Sequence, residues 1–456
     1  MNIVIAMLLS VGIKAISAIV EICIQILMTR NIGVTGYGEY TFLVSLIETA
    51  YFILFSGSIK LNTFYLASND LSLKQFSQNY RKKYVFPIIL SFLLLSILLK
   101  NPCFFIATII LLLYYFALNK SSIFLAKGHQ GIALVGEYLV GRIAMLTVLL
   151  ILVNIGQTDI YLLCILYGIQ FLTIIAWLLK FDKKIHDGTK YANVSMKKLV
   201  EFQKSDIANA FISYAPAILQ YIFGSAFSAG FTGILSILKK IINFIAGPTA
   251  KVFLPECSRL YKQNAIDKLK QTYLMIVKVQ MLVIGSAAML LIGFPKLVLD
   301  IFSKQLNQYN DLLVLASLSL LMVASIGPVT GFLQMTGNEV ICNRNQWISI
   351  GIMFLVCFMM KHNEFFAVYG LCAQAVTEGI LKYYSICRWF KCNVVPLKQY
   401  LLFLVPIIVG LIIVDIKQLN QSVIALEITL MFVSCWNLYF IMKDPLVRAT
   451  IKRWHK

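Results

Sequence analysis

The sequence predicts an all-α polytopic membrane protein with about 14 transmembrane helices. They are arranged as two six-helix bundles followed by two C-terminal helices. Three observations predict this class. Of 456 residues, 59% are hydrophobic and only 13% charged, with a mean hydropathy of +0.81; an ordinary soluble domain carries about a quarter charged residues. Apolar stretches of membrane-crossing length recur from end to end. Basic residues, finally, are concentrated in alternate loops. Disorder, a disulfide scaffold and a water-soluble enzyme are excluded by the composition.

A helix needs about 20 apolar residues to cross a ~30 Å hydrocarbon core. The candidate spans are 5–28, 41–67, 84–99, 103–118, 132–153, 160–179, 206–225, 231–253, 273–294, 311–333, 345–360, 365–387, 399–415 and 421–442. The first is too long for a signal h-region and lacks a small-residue cleavage site, so it reads as a retained helix. Lys100-Asn101-Pro102 splits the third span from the fourth, because Asn-Pro is a turn signal. The longest polar stretch, about 180–205, separates six spans from the next six. Domains are therefore expected at 1–180 (first bundle), 181–204 (cytoplasmic linker), 205–388 (second bundle) and 389–456 (two further helices and a basic tail).

The net charge of +20 arises from 40 Lys+Arg against 20 Asp+Glu. With the N-terminus in the cytoplasm, 26 basic residues fall in inside loops and 6 in outside loops. Lys and Arg concentrate in cytoplasmic loops, so both termini are expected there. One missed helix would swap the sides of every later loop, so this bias also supports the count. The charge is then topology, and no nucleic-acid partner is expected.

The ten cysteines include no C-x-x-C pair, and the four histidines are scattered. Zinc and redox sites need tight ligand spacing, so no metal and no cofactor are expected. Cys23, Cys103, Cys164, Cys357, Cys372 and Cys435 read as small buried apolar residues. No phosphate loop is present, so no ATP hydrolysis is expected. A membrane-embedded polysaccharide polymerase or acyltransferase would carry a large polar outer loop. The longest outer loop here is only about 295–310.

Two glycine strings echo one another. Gly36-Tyr37-Gly38-Glu39-Tyr40 is expected at the outer turn between spans one and two. Ala229-Gly230-Phe231-Thr232-Gly233 is expected at the turn between spans seven and eight. Internal repeats of this kind are common in transporters. The string Thr29-Arg30-Asn31-Ile32-Gly33-Val34-Thr35-Gly36-Tyr37-Gly38 resembles the R-x-L-G-x-x-x-Y-G turn of polysaccharide flippases, with Ile32 in the Leu place. Phe253-Leu254-Pro255-Glu256-Cys257-Ser258-Arg259 resembles that family's F-P-x-x-S-R segment. The family is the Wzx O-antigen flippase and polysaccharide transporter group of the MOP superfamily, which also holds the MATE exporters and the MurJ lipid II flippases.

The resemblance implies two six-helix bundles forming a V around a central cavity. It implies a bacterial cytoplasmic (inner) membrane location. It implies a substrate of undecaprenyl-pyrophosphate-linked oligosaccharide, moved to the periplasmic leaflet, with a polysaccharide polymerase and other pathway proteins as partners beside the lipid bilayer.

Ionisable residues within spans are costly and usually face a cavity or a partner. Lys14, Arg142, Lys239 and Lys240 lie deep and come from both halves. A basic cavity suits a pyrophosphate that loses water on entry. The alternative for each is a local salt bridge, such as Lys14 with Glu21 or Arg142 with Glu137. Glu21, Glu48 and Glu137 are candidates for proton coupling or for simple counter-ions. Glu378 and Lys382, spaced i,i+4, can pair with each other. Lys60, Lys251 and Lys278 lie near cytoplasmic ends, where their stems can snorkel. Asn209, Tyr214 and Gln220 on span seven are candidate sugar contacts, with helix–helix hydrogen bonding as the alternative. Tyr40, Trp177, Tyr191, Trp389 and Tyr400 fit interfacial aromatic belts. The rival function is a cation-coupled MATE-like exporter, whose cavity should be acidic.

Overall fold

Helix α1 runs over Ile3–Leu54, 52 residues with one non-helical position, Gly33 at φ 72 and ψ 171. A straight helix of that length would span about 78 Å, over twice the ~30 Å core. Glu21 lies within electrostatic reach of Tyr37 and Tyr40, so the chain doubles back at Gly33. Positive φ with extended ψ suits only glycine. Just before it, Thr29 and Asn31 turn their side chains onto the Gln25 and Leu27 carbonyls of the preceding turn. The computed structural model describes residues 3–59, 78–98, 102–182, 196–242 and 260–391, with gaps at 128, 158 and 262. Residues 62, 71, 72, 190, 191 and 257 are described singly or in pairs between these ranges. The expected spans 399–415 and 421–442, Tyr400, Lys60, Lys251 and most of the F-P-x-x-S-R segment lie outside them.

The chain forms two compact units, Met1–Ile234 and Leu235–Lys456. In the first unit, α1 is followed by a π turn at Arg81–Val85 that leads into α2 (Phe86–Leu98). Then come α3 (Pro102–Ala126), α4 (Gln130–Leu134), a second π turn at Val135–Val140, α5 (Gly141–Ile155), α6 (Ile160–Lys180) and α7 (Met196–Phe223). α8 (Ala226–Ile242) begins in this unit. α2 and α3 form the separate pair that Lys100-Asn101-Pro102 predicts, with Phe92 and Phe104 rings 5.9 Å apart. A two-residue parallel pairing joins Leu71–Ser72 to Lys190–Tyr191.

Three expectations change here. The polar stretch at 180–205 is helical from Met196, so Lys197, Lys198 and Lys204 ride on α7 instead of a loop. The two glycine strings are not turns. Gly36–Tyr40 lies in α1 and Ala229–Gly233 in α8, and the turns shrink to Gly33 and to Gly224-Ser225. Tyr40, expected at an interface, is 4% exposed, because it sits on the packed side of this helix.

The glycines instead let two backbones touch. A Cβ on Gly38 would fall 1.7 Å from the Ala226 carbonyl oxygen, and one on Gly230 would fall 2.2 Å from that of Val34. Small residues permit such approach in membrane helices.

The second unit contains α9 (Ile266–Gly293), α10 (Pro295–Phe302), a 3-10 turn at Lys304–Tyr309, α11 (Asn310–Ala324), α12 (Val329–Met335), α13 (Glu339–Met359) and α14 (Phe366–Phe390). The expected outer loop 295–310 is thus folded. The expected span 311–333 breaks at Ser325–Pro328, since proline cannot continue the hydrogen-bond ladder. The hydroxyl of wholly buried Tyr273 donates to the Ile326 carbonyl at this break, at 2.5 Å. Phe332, Trp389 and Phe390 close an aromatic cluster around it. Cys164, Cys357 and Cys372 are buried as expected, but Cys23 is exposed.

Among the described residues, six helical stretches are long and apolar enough to cross a membrane: Gly12–Leu54, Phe104–Ala126, Gly131–Ile155, Ile160–Lys180, Lys304–Val323 and Val340–Met359. The fold is that of an all-α polytopic membrane protein.

Gly38→Val and Gly230→Val should each destabilise the protein by about 1–3 kcal/mol, the usual range for overpacking. The thermal midpoint in detergent reads this out. Gly131→Ala, where nothing lies within 4 Å of a new Cβ, serves as the control. Equal midpoints for all three would refute the backbone contact.

Candidate functional site

Glu48, on the second half of α1, gathers hydroxyl donors from three other helices. Tyr114 of α3 donates to Oε2 at 2.5 Å. Tyr167 of α6 donates to Oε1. Tyr214 of α7 donates to Oε2 at a longer 3.2 Å. A carboxylate within a span is costly unless its lone pairs are used. Each buried phenol likewise needs an acceptor. One residue meets both demands and ties four helices together. Around it, Tyr51 stacks on Tyr114 at 4.0 Å and Tyr114 on Phe171 at 4.5 Å, while Phe52 lies 6.0 Å from Tyr214.

Nearer the start of the chain, Arg142 on α5 faces Glu21 on α1 with an N–O distance of 3.5 Å. That is long for a charge-assisted bond. The Arg142 side chain remains 24% exposed. Lys14 lies over the ring of Tyr138, 5.2 Å from its centroid. Glu137 accepts from Ser121 at 3.1 Å. Glu137 and Tyr138 both lie in the π turn Val135–Val140 that precedes α5. Such a turn inserts a residue into the helix and re-aims its side chains, and it is frequent at functional sites.

Arg142 therefore meets Glu21 and not the nearer-in-sequence Glu137 as its ion-pair partner. Glu21, Glu48 and Glu137 accompany Lys14 and Arg142 on α1, α5 and the π turn, with Arg30 and Glu39 also on α1. Gln220 is wholly buried and donates to Ser228 at 2.9 Å, bracing the Gly224-Ser225 turn. Asn209 is exposed on α7. Trp177, expected at an interface, donates its indole N–H to the Ile132 carbonyl at 3.0 Å.

The second unit holds a separate polar cluster. Lys382 Nζ lies 2.7 Å from Glu378 Oε1, and Gln374 donates to Glu378 Oε2 at 2.6 Å. Asn345 donates to Ser385 at 2.8 Å. Lys239 on α8 lies within electrostatic reach of both Glu378 and Lys382. Two bases face one acid here, so this cluster is net basic. The side chain of Lys240 lies outside the described residues. Among the described residues, no group of three His, Cys, Asp or Glu side chains is placed to hold a metal ion.

Sequence reasoning missed Tyr114, Tyr138 and Tyr167. The available signal was the need of each in-span phenol for an acceptor, set beside Glu48 in a span with few acceptors.

No family model matches the chain, and no curated protein sequence matches it. Among solved structures, the fold is similar to one titled lipid II flippase MurJ, inward closed conformation. The TM-score is 0.59 at 13% identity, covering 95% of this chain and 99% of that one. It is also similar to a structure of the MATE multidrug transporter DinF-BH. There the TM-score is 0.53 at 14% identity, over 86% of this chain and 94% of that one. Likeness at such identity establishes the fold and leaves activity open.

Glu48→Gln should couple to Tyr114→Phe by about 1.5–3 kcal/mol, the range for hydrogen bonds to charged groups. A double-mutant cycle on the thermal midpoint measures it. Strictly additive single effects would show that the phenols do not depend on the carboxylate.

Proposed function

We propose that this protein is a flippase for undecaprenyl-pyrophosphate-linked oligosaccharide, an O-antigen or similar surface-polysaccharide unit. It carries that substrate from the cytoplasmic to the periplasmic leaflet of the bacterial inner membrane by alternating access. The reading includes bundles at 1–180 and 205–388, a linker at 181–204, and both termini in the cytoplasm. The step is non-covalent: it moves an anionic head across hydrocarbon and breaks no bond.

The observation that carries the reading is the presence of exchangeable cations within spans. Arg142 is held loosely at 3.5 Å from Glu21 and stays partly exposed. Lys239 and Lys382 outnumber Glu378 in the second cluster. A diphosphate leaving water needs such compensation. Arg142 can offer a bidentate fork to phosphate oxygens, which lysine cannot. Fold likeness to a protein titled a lipid II flippase supports the lipid-linked class.

A second reading, a cation-coupled exporter of small molecules, is favoured by one observation. Glu48 sits among stacked aromatic rings, a chemistry that receives organic cations.

Reconstitution separates the two readings. Vesicles carrying the full chain should move a fluorescent prenyl-diphosphate-linked saccharide between leaflets and should not export a cationic dye. Replacing Arg142, Lys14, Lys239 and Lys240 together by Gln should abolish movement while leaving the protein in the membrane. Arg142→Lys alone should lower it, because the fork is lost. Dye export with no saccharide movement would favour the second reading, and full movement in the quadruple variant would refute the first.

A further inference from the structure

A small polar pocket lies between α12, α13 and α14 of the second unit. Thr330 lines it from α12, Asn345 and Gln346 from α13, and Glu378 and Lys382 from α14. It leaves about 10 Å³ for the centre of a water-sized sphere, close to the room that one water molecule needs.

Asn345 is 3% exposed, and its amide nitrogen is already committed. That nitrogen donates to the Ser385 hydroxyl at 2.8 Å and to the Leu381 carbonyl at 3.4 Å. Ser385 gives its own proton to the same carbonyl at 2.7 Å. The hydroxyl must therefore accept from Asn345, which fixes which end of the amide points that way. Neither Ser385 nor Leu381 lines the pocket, whereas Asn345 does. The amide oxygen, Oδ1, is the end left for the pocket. It is buried, and no group among the described residues donates to it. An acceptor in that position is costly unless a donor reaches it.

Polarity and charge select the occupant. Oδ1 calls for a donor, which excludes an anion. Glu378 holds Lys382 at 2.7 Å and lies within electrostatic reach of Lys239. Two cations thus face one carboxylate, and a third would be repelled. The group that fits is small and neutral, with hydrogens to give and a lone pair to offer.

We propose that this pocket binds one ordered water molecule, which donates to Asn345 Oδ1 and accepts from Lys382 Nζ. Lys382 carries three hydrogens and spends one on Glu378 Oε1. The second hydrogen of the water goes to the Glu378 carboxylate or the Thr330 hydroxyl. The carboxylate–lysine pair of α14 is then linked to α13 through a solvent molecule of its own. Charges solvated in this way part at less cost than a dry pair. The assignment goes beyond the flippase reading and stands whatever the chain transports.

A density map of the wild-type full chain in lipid nanodiscs, at a resolution that shows enclosed waters elsewhere in the fold, tests this. One isolated peak should lie within about 3.2 Å of both Asn345 Oδ1 and Lys382 Nζ, the usual limit for such bonds. An empty pocket in a map that resolves other enclosed waters would overturn the proposal. The peak should be the same in sodium chloride, choline chloride and sodium gluconate. A peak that requires sodium, or one that requires chloride, would put an ion in the pocket and overturn it. The thermal midpoint in detergent gives a second reading of the same point: it should not differ among the three salts at equal ionic strength. A sodium-specific or chloride-specific rise that Asn345→Leu removes would again identify an ion. Asn345→Leu takes away the acceptor and puts methyl groups in its place, so its map should lack the peak. A peak that persists there would show that Asn345 does not hold the water.

Discussion

Every polar group placed inside the spans must find its partner within the protein. In hydrocarbon no water stands ready to satisfy it. Glu48 shows how far this constraint reaches. Its two carboxylate oxygens accept from Tyr114, Tyr167 and Tyr214, so helices α1, α3, α6 and α7 are held in register by one side chain. Water could satisfy any of these groups singly at a surface; here they satisfy each other. The second unit repeats the solution with a different cast, as Glu378 accepts from Gln374 and Lys382. In both units a carboxylate is the hub and the donors come to it.

The same constraint explains what the sequence reveals and what it hides. Span length and charge bias are one-dimensional signals, and they place most helices well. The break before Pro102 and the long apolar run of α6 are examples. The i,i+4 pair of Glu378 and Lys382 is legible for the same reason, since helix geometry alone brings it together. Partners from different helices are not legible. Arg142 meets Glu21 over 121 positions and Tyr214 meets Glu48 over 166. Nothing local encodes such pairings. The π turn at Val135–Val140 is invisible too, because its residues are ordinary helix formers and its cause is tertiary.

The glycine strings are special, as their composition signals, but they are not the turns that composition suggests. Glycine serves two purposes, and sequence cannot tell a backbone that bends from one that is approached. Gly33 bends, with φ at 72. Gly38 and Gly230 are approached. The echo between the strings then has a physical reason: each supplies the bare surface that the other's helix presses against. One aromatic expectation changes similarly. Tyr40 carries the composition of an interface belt, yet it is buried.

A joint made of main chain has no adjustable padding. Where Ala226 and Val34 carbonyls meet the bare α-carbons of Gly38 and Gly230, no rotamer can lengthen or swing to absorb a small slide. Attraction at such a seam is short-ranged and falls away within an ångström of separation. The two helices are therefore either engaged or parted, and any motion that opens this crossing behaves as a click, not a drift.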